Sequence, residues 1–349
     1  MPENGSLINY THVLFEWEQE ENAISYEIQV DSSPSFNNPI SIQDESLIYI
    51  DTENITWNSS YYWRVRANYS DGSSGNWVDT YNFSTGSARS NAYSINYDDS
   101  QYSDGITIFS SFFDYFSAAI DKNGNEIWNT ENTDLIYYNT DYFGQLFGCY
   151  VNNDLEHYLP GVEFDINNEI IWEEPNNHFL HHELIQLPNG NYMGLIETER
   201  LGPIPIGPWS FTFQLFGYLA DGITNEFPWV GDKIVIWDKD TKDIIWEWDS
   251  FNHFSMDDYD IQGDTWNLAT SLGRYDWTHA NALHPSYDEN GNLEYIYISS
   301  RHISRISKID VDSGDVVWNM GLDMPSGDVD CGQDIGFSFQ HSITITEEG

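Results

Sequence analysis

The sequence predicts an all-β protein in two parts, an antiparallel β-sandwich followed by a β-propeller. Three observations lead there. Runs within residues 9–86 alternate apolar and polar side chains. From about residue 95 onward a strand–turn–strand pattern recurs, each copy closing on a Trp. Aromatic residues make up 16% of the 349 residues, with 14 Trp, 23 Tyr and 19 Phe, a composition suited to sheets and to surfaces that stack on flat ligands.

In the first part, Val13, Phe15 and Trp17 alternate in "VLFEW", and Tyr26, Ile28 and Val30 alternate in "SYEIQVD". "SYYWRVRANYSDG" sets Tyr61, Trp63, Val65 and Ala67 on one face and Tyr62, Arg64, Arg66 and Asn68 on the other. A period of two with one wet face is the pattern of antiparallel strands, and polar turns such as "SDGSSGN" separate the runs. The early Trp, "YEIQV" and "YYWRVRA" together resemble a fibronectin type III domain over residues 9–86, which implies architecture rather than function. Arg64 and Arg66 read as the solvated side of a strand. A polar junction, 87–94, leads to the second part, 95–349.

There, "AIDKNGNEIWNTE" (119–131), "EFDINNEIIWEEP" (163–175), "IWDKDTKDIIWEWD" (236–249) and "KIDVDSGDVVWNMG" (308–321) share one design. An apolar strand ends in Asp, a polar turn follows, and an apolar pair ends in Trp. The Trp residues, 128, 172, 246 and 318, are 44, 74 and 72 residues apart. The first interval fits one propeller blade and the others fit decorated blades. The aspartates of "DKDTKD" and "DVDSGD" carry oxygen donors suited to calcium, but hairpin turns require the same residues and neither loop pattern is complete.

Twelve Lys and Arg face 57 Asp and Glu, a formal net charge of −45. Such a field repels nucleic acid and anionic membranes, so neither is expected as a partner. No apolar run is long enough to span a membrane, and "MPENGSLINY" lacks the basic and apolar regions of a secretion signal. Cys149 and Cys331 pair only if the fold brings them together.

Four places concentrate histidine near turns and strand ends. His178, His181 and His182 precede the Asn-Gly turn of "LPNGNYMGL"; His279 lies in "RYDWTHANAL"; Arg301 and His302 close "YISSRH"; His341 opens "HSITI" in "GFSFQHSITITEEG". Blade starts converge at one end of a propeller, so these groups are expected around one channel. His157, His253 and His284 read as structural. No HExxH spacing and no G-x-S-x-G elbow is present, so neither a compact zinc site nor a serine hydrolase is indicated, and no metal or cofactor is expected.

"HHELIQLPNGNY", "DWTHANAL", "YISSRHISRISKIDVDSGDVVWNMG" and "FQHS" occur in the order seen in bacterial arylsulfate sulfotransferases, which residues 178–349 resemble. That resemblance implies a six-bladed propeller, a periplasmic or secreted setting, and transfer of a sulfuryl group from a phenolic sulfate ester to a phenolic acceptor without a nucleotide donor. It implies that His341 is the nucleophile that becomes sulfated. His279 and Arg301 correspond to sulfate-site residues, and the 181–182 pair supplies a further histidine, taken as His182 because it precedes an acidic position. His181, His302 and Glu183 are secondary candidates. The chain departs from the family pattern where Glu183 stands for aspartate after the histidine pair and Ser342 stands for the aspartate of QHD. The chain ends eight residues beyond His341, short of the strands that ordinarily finish the last blade, and the propeller is expected to be incomplete or closed by an N-terminal strand.

The chemistry needs these residue types. Nonbridging sulfate oxygens call for directional cations, and the five donors of Arg301 form a planar fork. A neutral imidazole can attack sulfur and split the transfer into two steps, and a second imidazole can handle the protons. The alternative readings are a noncatalytic secreted propeller binding glycans or polyanions, and a metal-dependent hydrolase.

Overall fold

The structure is a computed structural model that describes residues 2–93, 98, 100–101, 105–151, 159–176, 178, 180–330 and 337–346. His157 and Cys331 lie outside the described residues.

The first strands are β1 (Ser6–Ile8), β2 (Val13–Glu16), β3 (Ala23–Asp31), β4 (Ile40–Asp44), β5 (Ile48–Asp51), β6 (Ser60–Tyr69) and β7 (Tyr81–Thr85). They form a five-stranded sheet in the order β1-β7-β6-β3-β4 and a two-stranded ladder β2-β5. The alternation read from sequence sets the faces: Tyr61, Trp63, Val65 and Ala67 join Tyr26, Ile28, Val30, Val13 and Phe15 in one core. On the opposite face Arg64 donates to Gln29 and Arg66 pairs with Glu27 at 2.6 Å.

Three further sheets follow. β8 (Thr107–Ser111), β9 (Phe116–Ile120) and β10 (Glu126–Asn129) form one; β11 (Leu135–Thr140), β12 (Leu146–Tyr150), β13 (Gly161–Phe164) and β14 (Ile170–Glu173) form the next. The third runs β15 (Leu180–Gln186), β16 (Tyr192–Pro203), β17 (Asn225–Trp237) and β18 (Ile244–Asp249), after α1 (Ser210–Leu215) has left between β16 and β17. α2 (Ser250–His253) and α3 (Thr265–Leu272) precede β19 (Tyr275–Asp276), which lies parallel to β17. The last sheet is β20 (Ala280–Tyr287), β21 (Leu293–Ser300), β22 (Arg305–Asp310) and β23 (Val316–Gly321), in sequence order.

The four Asp–turn–Trp segments are all hairpins or adjacent strand pairs, β9/β10, β13/β14, β17/β18 and β22/β23. Their leading aspartates accept backbone N–H groups within the turn: Asp121 from Asn123 and Asn125, Asp165 from Asn167 and Glu169, Asp238 from Asp240 and Thr241, Asp310 from Ser313. Turn chemistry therefore accounts for the first carboxylate of both "DKDTKD" and "DVDSGD".

The expected fold, a fibronectin type III-like sandwich followed by a β-propeller, is corrected. The chain is mostly strand, but its sheets are open and separate, not closed into a barrel or propeller and not strongly curled. A local hairpin motif fixes how two neighbouring strands join. It does not fix the angle between one sheet and the next, which decides ring closure. The β16–β17 hairpin also pairs continuously from Tyr192↔Trp237 to Gly202↔Phe227, so the interval from Trp172 to Trp246 reflects extended strands and an excursion through α1, while the interval from Trp246 to Trp318 carries α2, α3 and β19 ahead of the last sheet.

The chain divides into two compact units, residues 1–137 with 164–171, and residues 138–163 with 172–349. This division does not fall at the polar junction 87–94. The core of the second unit gathers Trp229, Trp248, Trp266, Tyr275 and Trp277 with Ile296, Ile298, Ile303 and Ile309.

Candidate functional site

The candidate site lies within the second unit, where β15, the segment before β20, the turn after β21 and residues 339–342 bring their histidines together. β15 delivers two of them through a bulge: Leu180 pairs with Ile196 and Leu184 with Gly194, so His181, His182 and Glu183 oppose a single partner residue. His182 takes φ +64°, a conformation costly for a residue with Cβ, and this turns neighbouring imidazoles toward each other instead of to opposite faces. The Asn-Gly turn behind them is as the sequence implies, with Gly190 at φ +88° closing β15 onto β16.

His279 is positioned by the tryptophan-rich core. Tyr275 stacks on Trp266 with centroids 3.8 Å apart, and Trp277 is fully buried with its indole N–H donating to the Asp258 carbonyl. With both anchored inward, Asp276 stands on the other side of the strand. At His279 the backbone turns through φ +46° into β20. The Asp276 carboxylate accepts from His279 Nδ1 at 2.6 Å. Burial opposes ionisation of Asp276, but the hydrogen bond and charge of His279, with His302 and His181 beyond, hold its pKa below the ordinary value.

Arg301 and His302 follow directly on β21. His302 is buried; its Nδ1 lies 2.7 Å from the Asp276 carbonyl and its Nε2 lies 2.8 Å from Arg301 Nη1. A carbonyl accepts and a guanidinium donates, so the ring is neutral with its proton on Nδ1. Burial, with the charges of His279 and Arg301, depresses its pKa against the pull of Asp276, which agrees with that tautomer. His302 stacks on His279 at 4.5 Å, and the Arg301 guanidinium sits 4.9 Å over Phe339.

His341 lies outside any strand, where a strand start was expected, and its neighbours hold it. Gln340 donates to Ser299 Oγ and to the carbonyls of Ser300 and Arg305. Asn281, at a bulge in β20, donates to the Gln340 carbonyl and accepts from the Ser342 N–H. The peptide is thus clamped on both sides of His341, whose side chain is left exposed.

The rings of His279 and His341 lie 5.5 and 5.2 Å from that of His182. His182 has its pKa pushed down to about 3 by burial and by the neighbouring His181, His279 and His341. Behind it, His181 Nε2 meets the buried Asp232 carboxylate at 2.9 Å, and His181 Nδ1 lies 2.9 Å from His182 Nδ1. Burial disfavours a charged His181, yet the hydrogen bond and charge of Asp232, with Glu197 and Asp276, outweigh it and raise its pKa. A protonated His181 donates to Asp232 through Nε2 and to His182 through Nδ1. That leaves His182 neutral with its proton on Nε2. Asp232 is itself fixed by Thr278 Oγ and the Ala280 N–H.

Every primary candidate is therefore within this group: His182, His279 and His341 share ring contacts, and Arg301 joins through His302. The secondary candidates His181 and His302 pack behind it. Glu183 instead accepts from Asn139 Nδ2 at 2.7 Å, and burial pushes its pKa up to about 7 against the hydrogen bonds of the Leu283 N–H and Asn139. His178 pairs with Glu174, His253 stacks on Trp248 and His284 packs near Tyr297, all apart from these ring contacts. Arg305 and Lys308 take other roles: Arg305 is buried against Asp258, and Lys308 lies 3.6 Å over the Tyr295 ring. Cys149 is buried, its sulfur accepting from Tyr138.

Sequence reasoning missed Asp232, Asp276, Asn281 and Gln340. The last three stand inside motifs already singled out, "YDWTHANAL" and "FQHS", so adjacency was the available signal; Asp232 carried none.

One group among the described residues has metal-binding composition: Asp276, His279 and His302 hold donor atoms within 4.8 Å of one another. Two ligands on one zinc-sized ion, at bond lengths of about 2.1 Å, stand roughly 3.4 Å apart in a tetrahedron. The 2.6 Å between His279 Nδ1 and Asp276 is a hydrogen bond, and both ring nitrogens of His302 have partners. The residues as arranged fit a proton-sharing network better than a metal centre.

A partly buried arginine, Arg301, and several imidazoles gather here, backed by the carboxylates of Asp232 and Asp276. Residues 218–325 match the family model of Arylsulfotransferase (ASST). The match takes in His279, Arg301 and His302; it gives the fibronectin resemblance of residues 9–86 no support. No curated protein matches the sequence. Among solved structures, an alpha-L-rhamnosidase from Dictyoglumus thermophilum aligns at 16% identity and a TM-score of 0.22, over 34% of this chain and 15% of its own. Hydrazine synthase of Kuenenia stuttgartiensis aligns at 13% identity and a TM-score of 0.30, over 72% of this chain and 62% of its own. This chain spans less than two thirds of either, and at those scores neither speaks to its fold.

Proposed function

We propose that the site transfers a sulfuryl group from a phenolic sulfate ester to a phenolic acceptor through a sulfated His341. The observation that carries the reading is the meeting of three imidazoles, His182, His279 and His341, beside Arg301, in a chain whose residues 218–325 match the arylsulfotransferase family.

His341 is suited to the nucleophile's role. Partial desolvation of the otherwise exposed ring, with the charges of His279 and Arg301, lowers its pKa, which favours the neutral ring with a free lone pair. That lone pair attacks sulfur; the N–S bond forms as the S–O bond to the aryl group breaks, and the electron pair leaves on the phenolate oxygen. His279, whose Nδ1 is held by Asp276, protonates that oxygen through Nε2. An acceptor phenol then gives its proton back to His279 and attacks sulfur, and the N–S bond electrons return to His341. Arg301 and the Nε2–H of His182 serve the nonbridging oxygens as charge develops. Next to His302, a cavity of about 270 Å³ has Phe339, Leu322, Met324 and Ile261 on its walls beside Asp260 and Asp323, and the apolar part of that lining can seat the aryl ring.

The test is transfer from 4-nitrophenyl sulfate to phenol, followed by release of nitrophenolate. Acceptor-dependent turnover with ping-pong kinetics is expected, along with one SO3 group on the His341 peptide after alkaline quench. His341→Asn abolishes both. Turnover that survives this substitution refutes the reading. Turnover lost to a chelator and restored by a divalent ion places a metal hydrolase at Asp276, His279 and His302 instead.

A further inference from the structure

The sulfuryl-transfer chemistry leaves unused the lobe that connects β16 to β17 and carries α1. This lobe is built on a cluster of rings. Phe213 of α1 lies edge-on to Phe227 at 5.0 Å and to Trp266 of α3 at 5.9 Å, and Trp209 stacks on Trp266 at 5.8 Å. With those rings turned inward, Ile206, Phe211, Leu215, Phe216, Leu219 and Ile223 are left outside, each between 58% and 82% exposed. Phe211 and Leu215 are four residues apart and share a face of α1. Together the six residues expose on the order of 800 Å², more than the largest apolar patch of an ordinary monomer, roughly 300–600 Å². Each partner in a standard protein interface buries roughly 800 Å².

Charge is withdrawn from the same segment. In a chain with 57 Asp and Glu, residues 201–226 contain only Asp221 and Glu226, and both carboxylates turn to the lobe's own backbone. Asp221 accepts from the N–H groups of Ile223 and Thr224, and Glu226 from those of Leu219 and Ala220. No Lys or Arg stands between Arg200 and Lys233. This composition selects the partner. An interfacial segment grips an anionic bilayer through Lys and Arg on its polar face, and the lobe has neither. A basic protein is drawn to free carboxylates, and the lobe's two are engaged. A second copy of this chain brings its own −45, so two copies repel wherever carboxylates face each other. A two-fold contact sets a patch against the identical patch, so an acidic chain meets itself best on a surface without free charge.

We propose that the chain forms a two-fold dimer through this lobe, with Phe211, Leu215 and Phe216 packing against the same residues of a second copy. Apolar burial favours the contact and repulsion between the two acidic bodies opposes it. Added salt screens the repulsion and tightens the dimer, the reverse of its effect on an ion-paired interface.

The experiment is sedimentation equilibrium of the full chain over a wide range of concentration, in low and high NaCl. A reversible monomer–dimer equilibrium that tightens with salt is expected. Leu215→Glu and Phe216→Ser each raise the dissociation constant tenfold or more, while circular dichroism stays at wild-type level. Phe216→Ser keeps the test intact if Leu215→Glu misfolds. Ile50→Glu, at an exposed apolar position of β5, controls for the added charge and dimerises as wild type. A chain that stays monomeric throughout overturns the proposal, as does a dimer that both variants retain, that salt dissociates, or that Ile50→Glu weakens as much. Binding of a monomer to phosphatidylcholine vesicles, lost in both variants and without self-association, assigns the lobe to a lipid surface and overturns it equally.

Discussion

Replacing Arg305 by Met tests how the second unit holds its site in place. Arg305 and Asp258 are 1% and 0% exposed, with Nη2 2.8 Å from Oδ2. Asp258 also accepts from the backbone N–H and the hydroxyl of Ser326, and the guanidinium lies 5.6 Å from the centroid of Phe254. Removing one member of such a pair strands the other charge away from water, typically about 3–5 kcal/mol. Asp258 keeps two donors when Arg305 is lost, so Arg305→Met belongs near 3 kcal/mol. Asp258→Asn leaves a guanidinium with its charge unmatched and belongs nearer 4–5 kcal/mol. The double replacement removes both charges at similar volume and should cost only about 1–2 kcal/mol, a non-additivity of several kcal/mol. Equilibrium urea unfolding of the full chain, with hydrogen exchange in β20–β23 to identify the transition of the second unit, measures the cycle. The Arg305 carbonyl, which holds Gln340, is untouched, so nitrophenyl sulfate turnover well below the unfolding midpoint should persist. A cost for Arg305→Met under about 1 kcal/mol, or additive single costs, refutes the assignment of a buried structural pair.

Three further outcomes are expected. Asp276→Asn removes the carboxylate that accepts from His279 Nδ1 and orients its ring; on the scale of general acid–base catalysis, kcat should fall about 100-fold or more while circular dichroism stays unchanged. Arg301→Lys keeps the charge but loses the planar fork, so KM for the sulfate ester should rise and kcat should fall about tenfold with an unaltered pH profile. The folded pKa of His182, about 3, is below the ordinary histidine value, so the unfolded chain binds a proton that the folded chain refuses between about pH 6.5 and pH 3. Stability therefore drops as pH falls through that window, on the order of a few kcal/mol, and His182→Asn should flatten the slope in urea titrations at pH 4 and pH 7. His181 acts in the opposite sense: its raised pKa adds stability below the ordinary histidine value and loses it as pH rises through the folded one.

Much of the local structure was legible because it depends on short-range rules. Period-two alternation set the inward faces of β3 and β6, and Asp-led turns set the hairpins at β9/β10, β17/β18 and β22/β23. The histidine-bearing motifs were legible as chemistry, since imidazoles beside an arginine are unusual in so acidic a chain. The buried role of Arg305 was not legible, because nothing in "SRISKID" distinguishes an arginine facing buried Asp258 from one facing water. Asp232 was equally silent: it stands 51 residues from His181 in sequence and 2.9 Å from it in space.

By itself, then, the sequence determined strand faces, turn positions and the inventory of cations and imidazoles, all consequences of side-chain period and local backbone preference. Tertiary structure alone decided that the sheets stay open. It also decided that His182 sits in the bulge against His279 and His341, and that Asp232 and Asp276 polarise opposite sides of the cluster. These are long-range facts, set by how sheets pack and which charges share a desolvated space, and no local pattern encodes either.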